Sequence, residues 1–533
     1  MNRQITINNR AVARKDIPCL SISEFRAEMV KAYQQGLRVV SFFGMPTDGR
    51  GRGRAGEKDA GALLLYAVLA DDDSSTLAIT STLFKEKQGY PSITVDCPPF
   101  HIFEREFYEE FDVRPENHPW LKPVRYDFRR SDLSQTMANY PFFTMAGDEI
   151  HEVAVGPVHA GIIEPGHFRF MCHGERVHHL EIQLGYQHRG VESLFEQCGP
   201  DATAKQNPFP IHLAESIAGD TVIAHASACA QAAESLCNIE ISRRAVAIRA
   251  IALELERIAV HIGDLGAIAN DIAYLTGNAV FGAIRTLVIN TTLAICGSRF
   301  GRGLIRVGGV RFDIPGPLQA RMKETLEKVR HDVLLMGETM FSSPNVLARL
   351  EKTGVIDKDK ARETGMVGMA ARASGIPLDI RADHPFGIYK SVPIHKFTME
   401  SGDVFARTYI RYIEIRKSID FIMELLDNLP EGELMQTAKE SKESKDAPAS
   451  SSSLSLSPSP SGDSFVVSLT EGWRGEIAHV IITDAEGHIE RYKIKDPSFN
   501  NWFGLAQAVR ENGVSDFPLV NKSFNLSYCG NDL

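Results

Sequence analysis

The spacing of hydrophobic positions changes character several times along the chain. A polar opening, with Ser21-Ile-Ser-Glu24 as a capping box, predicts a short amphipathic helix that ends near Gly36. Three β-rich runs follow, LRVVSFF (37–43), ALLLYAVLA (62–70) and STLAITSTL (75–83), each of strand length. Between the first two, GMPTDGRGRGRAGEKDAG reads as a flexible hairpin loop. Its glycines lack the G-x-x-x-x-G-K-S/T order of a phosphate cradle.

From 146 to about 190 strands return, with HGER (173–176) as a hairpin turn. Residues 191–340 carry mostly helical spacing. In ALELERIAVHIGDLG, Glu254, Arg257 and His261 fall at i, i+3 and i+7, so they share one face of a helix otherwise rich in Ile, Ala and Leu. Buried ionisable groups must pair, so this stripe is either an internal ion-pair seam or part of a functional cavity. Near the C-terminus FVVSL, IAHVIITD and HIERYKIK read as strands, with Asp484-Ala-Glu-Gly487 as a hairpin turn, and a helix follows over 501–512.

At 533 residues the chain exceeds one core, and the change of pattern puts a small α/β domain at 1–145 ahead of a larger domain at 146–533. Residues 431–463 are Lys/Glu-rich, then Ser/Pro-rich, and are expected to form a disordered insert. Net charge of −10 argues against a general nucleic-acid surface. The longest unbroken apolar run, GALLLYAVLA, has 10 residues against the ~20 that span a bilayer. With no apolar h-region at MNRQITINNR, a soluble or peripheral cytoplasmic protein is expected. Eight scattered cysteines contain no C-x-x-C, so the usual thiolate clamp for zinc or an iron–sulfur cluster is missing.

One stretch combines bareness with candidate chemistry. Ala218-Gly219-Asp220-Thr221 is a small-residue turn that lets a backbone approach something closely, and His225 follows one helical turn later.

Longer motifs identify a family. GPVHAGIIEPGHFRF (156–170), HGERVHHLEIQLGYQHRGVESLFE (173–196), RASGIPLDIRADHPFGIY (372–389), SGDVFARTYIRYIEIRKSI (401–419) and WRGEIAHV (473–480) resemble the large subunit of energy-converting nickel–iron hydrogenases and the 49 kDa-type subunit of respiratory complex I. FEREFYEEFDVRPENHPWLKPVRYDF (103–128) resembles complex I's 30 kDa-type companion, fused here in the order of formate hydrogenlyase large subunits. The resemblance implies an α+β chain, with the small α/β domain followed by a mainly helical hydrogenase-large-subunit-like domain bearing peripheral β-hairpins. It implies a subunit of an oxidoreductase complex, peripheral on the cytoplasmic side of the inner membrane. The implied partners are an iron–sulfur small subunit, a ferredoxin-like subunit and antiporter-like membrane subunits. Iron–sulfur clusters and NAD(P)H or ferredoxin would sit on those partners.

The resemblance also locates a site. The four nickel-binding cysteines of hydrogenases match Ala218, Thr221, Ser527 and Gly530, with Cys529 between the last two, so no metal is expected here. The quinone-binding tyrosine of complex I matches Gly219, and its histidine falls near Ile163 or Glu164, with His159 close by. Glu164 matches a proton-moving glutamate or simply closes a hairpin. Arg474 matches an arginine over the active site, or forms a surface ion pair. His188 and Arg189 are expected to be structural, on the side facing the iron–sulfur partner. Asp379, Arg381, Asp383 and His384 make a charged run that is either a solvated loop or a border of the cavity. Glu164, His225 and Arg474 are therefore the candidate catalytic residues, with His159, Gly219, Asp220, Thr221, Asp379, Arg381 and His384 around the cavity. The Glu254–Arg257–His261 stripe is the candidate proton route. The resemblance implies a subunit that couples electron transfer to proton or ion movement without a nickel–iron site of its own. Three roles for the cavity stay open: binding a quinone or other diffusible electron acceptor as in NADH:quinone oxidoreductases, a catalytically silent scaffold or transducer, and an active hydrogenase with unusual ligands.

Overall fold

A computed structural model describes residues 2–47, 62–85, 88–128, 130, 132–161, 163–198, 209–436 and 460–533. Most of the glycine-rich loop (48–61) and the centre of the Ser-rich insert (437–459) lie outside the described residues.

The N-terminal unit is an antiparallel sheet of β1 (Gln4–Thr6), β2 (Arg38–Pro46), β3 (Leu63–Asp71) and β4 (Thr76–Phe84), in the order β1-β4-β3-β2. Helix α1 (Ile22–Gln34) begins at the expected capping box, with both reciprocal bonds of Ser21 and Glu24 formed. Together with α2 (His101–Phe111) it covers one face of the sheet, where Phe25 and Phe107 meet Phe42. The other face, with Phe43 and Tyr66, enters the main core against Phe465 of the C-terminal half. Burial on both faces explains why these strands read as nearly continuous apolar runs. The short strand Val12–Ala13 pairs with Ser464–Phe465, so the two halves share a sheet as well as a core.

The larger part opens with an antiparallel sheet of β5 (Ile150–Val155), β6 (His167–His173) and β7 (Arg176–Gln183), the last two joined at the expected HGER turn. Helices α3 (Val222–Leu236), α4 (Arg243–Asp271), α5 (Leu275–Cys296), α6 (Gly316–Phe341) and α7 (Val404–Asp427) follow. In the bundle α4 packs on α5 and α7, and α6 on both of those. A second sheet, β8 (Ser464–Glu471), β9 (Glu476–Thr483) and β10 (Ile489–Lys495), lies on α3. Helices α8 (Pro497–Ala508), α9 (Phe517–Phe524) and α10 (Tyr528–Asp532) close the chain.

Three expectations are corrected. The helix read at 501–512 starts at Pro497, because Asp496 accepts the Ser498 N–H and proline is pre-set for the first helical position. Counting unbroken apolar residues missed α5, whose mean hydropathy of 1.6 makes it apolar and long enough to cross a membrane; Gly, Asn, Thr and one Arg interrupt the run. In this fold α5 packs against α4 and α6. Residues 431–436 and 460–463, read as part of the disordered insert, are bonded to the fold: Gln436 N donates to Gly308 O (2.7 Å) and Ser461 N to Leu236 O (2.8 Å).

Candidate functional site

Helix α3 carries six alanines in its fifteen residues. Its start packs on Gly472 in the β8–β9 turn, where a Cβ would lie 3.4 Å from Thr221 and 3.5 Å from Ala224, in van der Waals contact with both. Thr221 precedes the helix without capping it. Glu256 of α4 does so instead, accepting Ile223 N at 2.7 Å and Ala224 N at 3.2 Å. Burial pushes the Glu256 carboxyl up to about 8, against those two backbone donors.

Arg474 joins the two candidate turns. It sits in the β8–β9 turn, closed by Gly472 N to Gly475 O (2.9 Å) and Gly475 N to Gly472 O (3.1 Å). Gly475, at φ +136°, must be glycine: a Cβ would come 2.5 Å from Gly368 Cα. The Arg474 guanidinium donates to both Asp220 carboxylate oxygens at 2.7 Å, to Thr221 Oγ1 at 3.0 Å and to Asn525 O at 2.5 Å. It also stacks 3.8 Å over Trp473, whose Nε1 donates to Asp220 O at 2.9 Å. Arg474 is buried, so the surface ion pair considered for it is ruled out. Gly219 stays exposed beside it, the open edge of the site.

Of the four positions matched to metal ligands, Thr221 bonds that guanidinium and the other three are met differently. Thr221 Oγ1 is taken by Arg474, and Ser527 Oγ caps α10 by accepting Gly530 N at 2.9 Å. Ala218 has no donor, and a Cβ at Gly530 would come 2.7 Å from Asp496 Cγ. Cys529 Sγ lies 3.4 Å from Ser527 Oγ, its thiol pushed up to about 11 by burial and then by Glu164. Two engaged hydroxyls do not fit a centre that needs four soft thiolates.

His225 turns inward, away from the open edge. Its Nε2 lies 3.1 Å from Asp496 Oδ2 and its Nδ1 3.1 Å from His479 Nε2, while His479 Nδ1 lies 2.8 Å from the Tyr492 hydroxyl. All four side chains are buried. Burial, then the neighbouring His225, holds His479 well below its ordinary pKa, so it is neutral. His479 thus lies between the Tyr492 hydroxyl and His225, and His225 in turn bonds the Asp496 carboxylate.

The stripe on α4 is an ion-pair seam, larger than its sequence spacing suggests. Glu254, Arg257 and His261 are all fully buried. Arg381 donates to Glu254 Oε1 (3.0 Å) and holds Asp379 bidentately (3.0 and 2.7 Å). Arg372 reaches Glu414 (2.6 Å) and Glu471 (2.8 Å), and His261 Nε2 reaches Glu414 (2.9 Å). Tyr389 donates to Glu254 at 2.6 Å. Burial raises the Glu254 carboxyl, but Arg381 and Arg257 outweigh it and hold it at about 2. Glu471 goes the other way: burial, then the Asp379 charge, lift it to about 7. Three arginines and His261 thus face four carboxylates, and Glu471 is the carboxyl whose proton affinity is raised. Arg257 also donates to Glu471 O (2.9 Å) and Gly472 O (3.2 Å), and His261 packs edge-on to Trp473 at 6.0 Å. The seam therefore braces the turn that carries Arg474.

The other candidates scatter. Asp379, Arg381, Asp383 and His384 are buried, so the solvated-loop reading is wrong: their charges are matched within the fold. Only Asp379 and Arg381 join the seam. His384 bonds Asp72 (2.9 Å) in the N-terminal unit, and Asp383 bonds Lys396 (2.5 Å). Half-buried Glu164 accepts Tyr528 N at 3.3 Å, placing it behind the second turn. His159 closes its own loop on Gly166 O (2.8 Å). Arg189 ties down Ser216 O (2.8 Å) and Ile217 O (3.0 Å), and His188 bonds Asp532 O (2.7 Å), as structural residues would. Sequence spacing missed Glu256, His479, Asp496, Glu414 and Glu471, which reach the site from other elements. Asp496-Pro497 was the one legible signal among them.

The helical bundle and the turns over its buried ion seam are the arrangement implied by the resemblance to the large subunits of hydrogenase-like and complex I-like oxidoreductases. The comparisons with known proteins agree. Residues 271–532 match the family described as the respiratory-chain NADH dehydrogenase 49 Kd subunit. The chain is 32% identical to the membrane-bound hydrogenase subunit alpha of Pyrococcus furiosus over 70% of this chain and 85% of that one. It is 29% identical to formate hydrogenlyase subunit 5 of Escherichia coli (strain K12) over 89% of this chain and 82% of that one. A chain of the membrane-bound sulfane sulfur reductase, an archaeal respiratory membrane complex, shares the fold at a TM-score of 0.64 and 23% identity, covering 74% of this chain and all of that one. The chain belongs to the family of complex I 49 kDa-type and membrane-bound hydrogenase large subunits.

Proposed function

We propose that this chain is the peripheral-arm subunit of a membrane-associated, complex I-like oxidoreductase, and that it couples electron arrival to proton movement without a nickel–iron centre of its own. The observation that carries this reading is the Arg474 clamp: one guanidinium bridges Asp220, Thr221 and Asn525 where a hydrogenase would need thiolates. In this account Arg474 and the exposed Gly219 edge meet the electron acceptor, of which a quinone is the favoured class. An electron brought near the turn adds negative charge beside the seam. The backbone link from Arg257 to Glu471 and Gly472 makes Glu471 the group whose proton affinity rises in response. Glu164 and His225 would relay protons from the second turn and from the β9–β10 side. The iron–sulfur small subunit, the ferredoxin-like subunit and the antiporter-like subunits are the partners in this reading, on the cytoplasmic side of the inner membrane.

The test is turnover of the purified complex with quinone analogues, read together with ion transport. Glu471→Gln is expected to leave electron transfer within about twofold and to cut transport at least tenfold. Equal transport in the variant and the wild type contradicts the proton role.

A further inference from the structure

A cavity of about 290 Å³ lies where α2 and residues 119–124 face β7 and α8. None of its walls belongs to the Ala218–Thr221 turn. Trp120, Phe143, Trp502 and Phe503 supply aromatic surface. The polar groups that face it are unusual in what they lack.

Arg105 is 7% exposed, lies 4.4 Å over the Trp120 ring, and bonds only backbone carbonyls, Lys122 O at 2.7 Å and Pro123 O at 3.4 Å. No carboxylate among the described residues pairs with it. Burial pulls its pKa down to about 10, which leaves it charged at neutral pH. Arg510 donates Nη2 to His179 Nδ1 at 3.0 Å and leaves its buried Nε without a partner. His101, 8% exposed, packs 4.7 Å from Phe503 and has a buried Nε2 that meets nothing. The carboxylate in the wall, Glu181, is already used: Oε1 accepts Lys122 Nζ and Oε2 accepts Phe143 N, both at 2.7 Å. Two cations and an unmet imidazole nitrogen therefore face aromatic surface with no free anion nearby. Buried polar groups left this way are costly unless something meets them.

We infer that this cavity binds a flat aromatic anion: a planar ring system of about two fused rings carrying one carboxylate, sulfonate or phosphate. The ring lies among Trp120, Phe503 and Trp502, and the anionic group reaches Arg105 and Arg510, where a guanidinium fork matches it best. The volume suits a two-ring molecule and excludes a dinucleotide. Trp502 also donates Nε1 to Ser527 O at 3.3 Å, so the ring that stacks the ligand holds the second turn of the candidate site.

The experiment uses 2-naphthoate with the full chain and with the assembled complex. The chain has three tryptophans, and two of them, Trp120 and Trp502, line this cavity, so tryptophan emission reports its occupancy. Saturable one-to-one quenching is expected in both preparations. The neutral 2-naphthamide is expected to bind at least tenfold more weakly to the unaltered protein, a comparison that needs no variant. Arg510→Gln, at a partly exposed position, is expected to weaken naphthoate at least tenfold with an unchanged circular dichroism spectrum. Equal binding of acid and amide, or no saturable quenching at low millimolar naphthoate, overturns the inference. Quenching in the free chain that vanishes in the complex also overturns it, because the cavity is then a seat for another subunit.

Discussion

The buried seam and the Ala218–Thr221 turn are neighbours built on opposite terms. In the seam Arg257, Arg372 and Arg381 meet Glu254, Asp379, Glu414 and Glu471, and each carboxylate has an arginine partner. In the turn small side chains leave little to hold on with, and one arginine supplies most of the polar contacts. Desolvation explains the contrast. Charges taken from water must be matched many times over, so the seam is stiff and intolerant. The turn has an exposed edge at Gly219, and its polar contacts run mainly through Arg474. A charged frame next to a turn with an exposed edge suits the coupling of electron arrival to proton movement proposed above.

Breaking the seam should cost most. Arg372→Met removes the arginine bonded to both Glu414 and Glu471, leaving Glu414 to His261 and Glu471 to the Ile380 N–H, and a loss of about 3–5 kcal/mol is expected in urea denaturation. A loss below ~1 kcal/mol would show that the seam is not a frame. Arg474→Lys keeps the charge but loses the fork across Asp220, Thr221 and Asn525. Its expected mark is amide exchange at least tenfold faster at Asp220–Thr221 and Asn525–Ser527, with the seam unaffected. Uniformly faster exchange would mean that the two regions are one unit.

Glu256 ties the frame to the turn and supplies a pH test. Its folded pKa of about 8 lies above its ordinary 4.5, so between those values the folded protein holds the proton that the unfolded chain gives up. Stability should therefore fall as pH rises through that window. Between about pH 5 and about pH 8 the Tm of the unaltered chain is expected to fall by several degrees, and that of Glu256→Gln by less. Identical profiles would remove Glu256 from the account. Smallest of all, Thr221→Ala removes one bond to Arg474 and should cost about 1 kcal/mol in the same urea assay, since Asp220 keeps the guanidinium in place.

The elements were legible where local pattern decides them. The capping box at Ser21, the HGER turn and the strands on either side of Asp484–Gly487 stand where their residues put them. The i, i+3, i+7 spacing of Glu254, Arg257 and His261 announced a buried stripe correctly. Their partners were not legible, because Arg372, Glu414 and Glu471 come from elements more than 100 residues away in the chain, and no spacing rule links them. Burial of the Asp379–His384 run was hidden for the same reason: four ionisable residues in six look solvated until their distant partners are placed. The apolar character of α5 was masked by its small polar residues.

Metal analysis of the purified, intact complex tests the central claim most directly. No stoichiometric nickel is expected. One nickel per complex, bound between the Ala218–Thr221 turn and the Ser527–Gly530 turn, would contradict it.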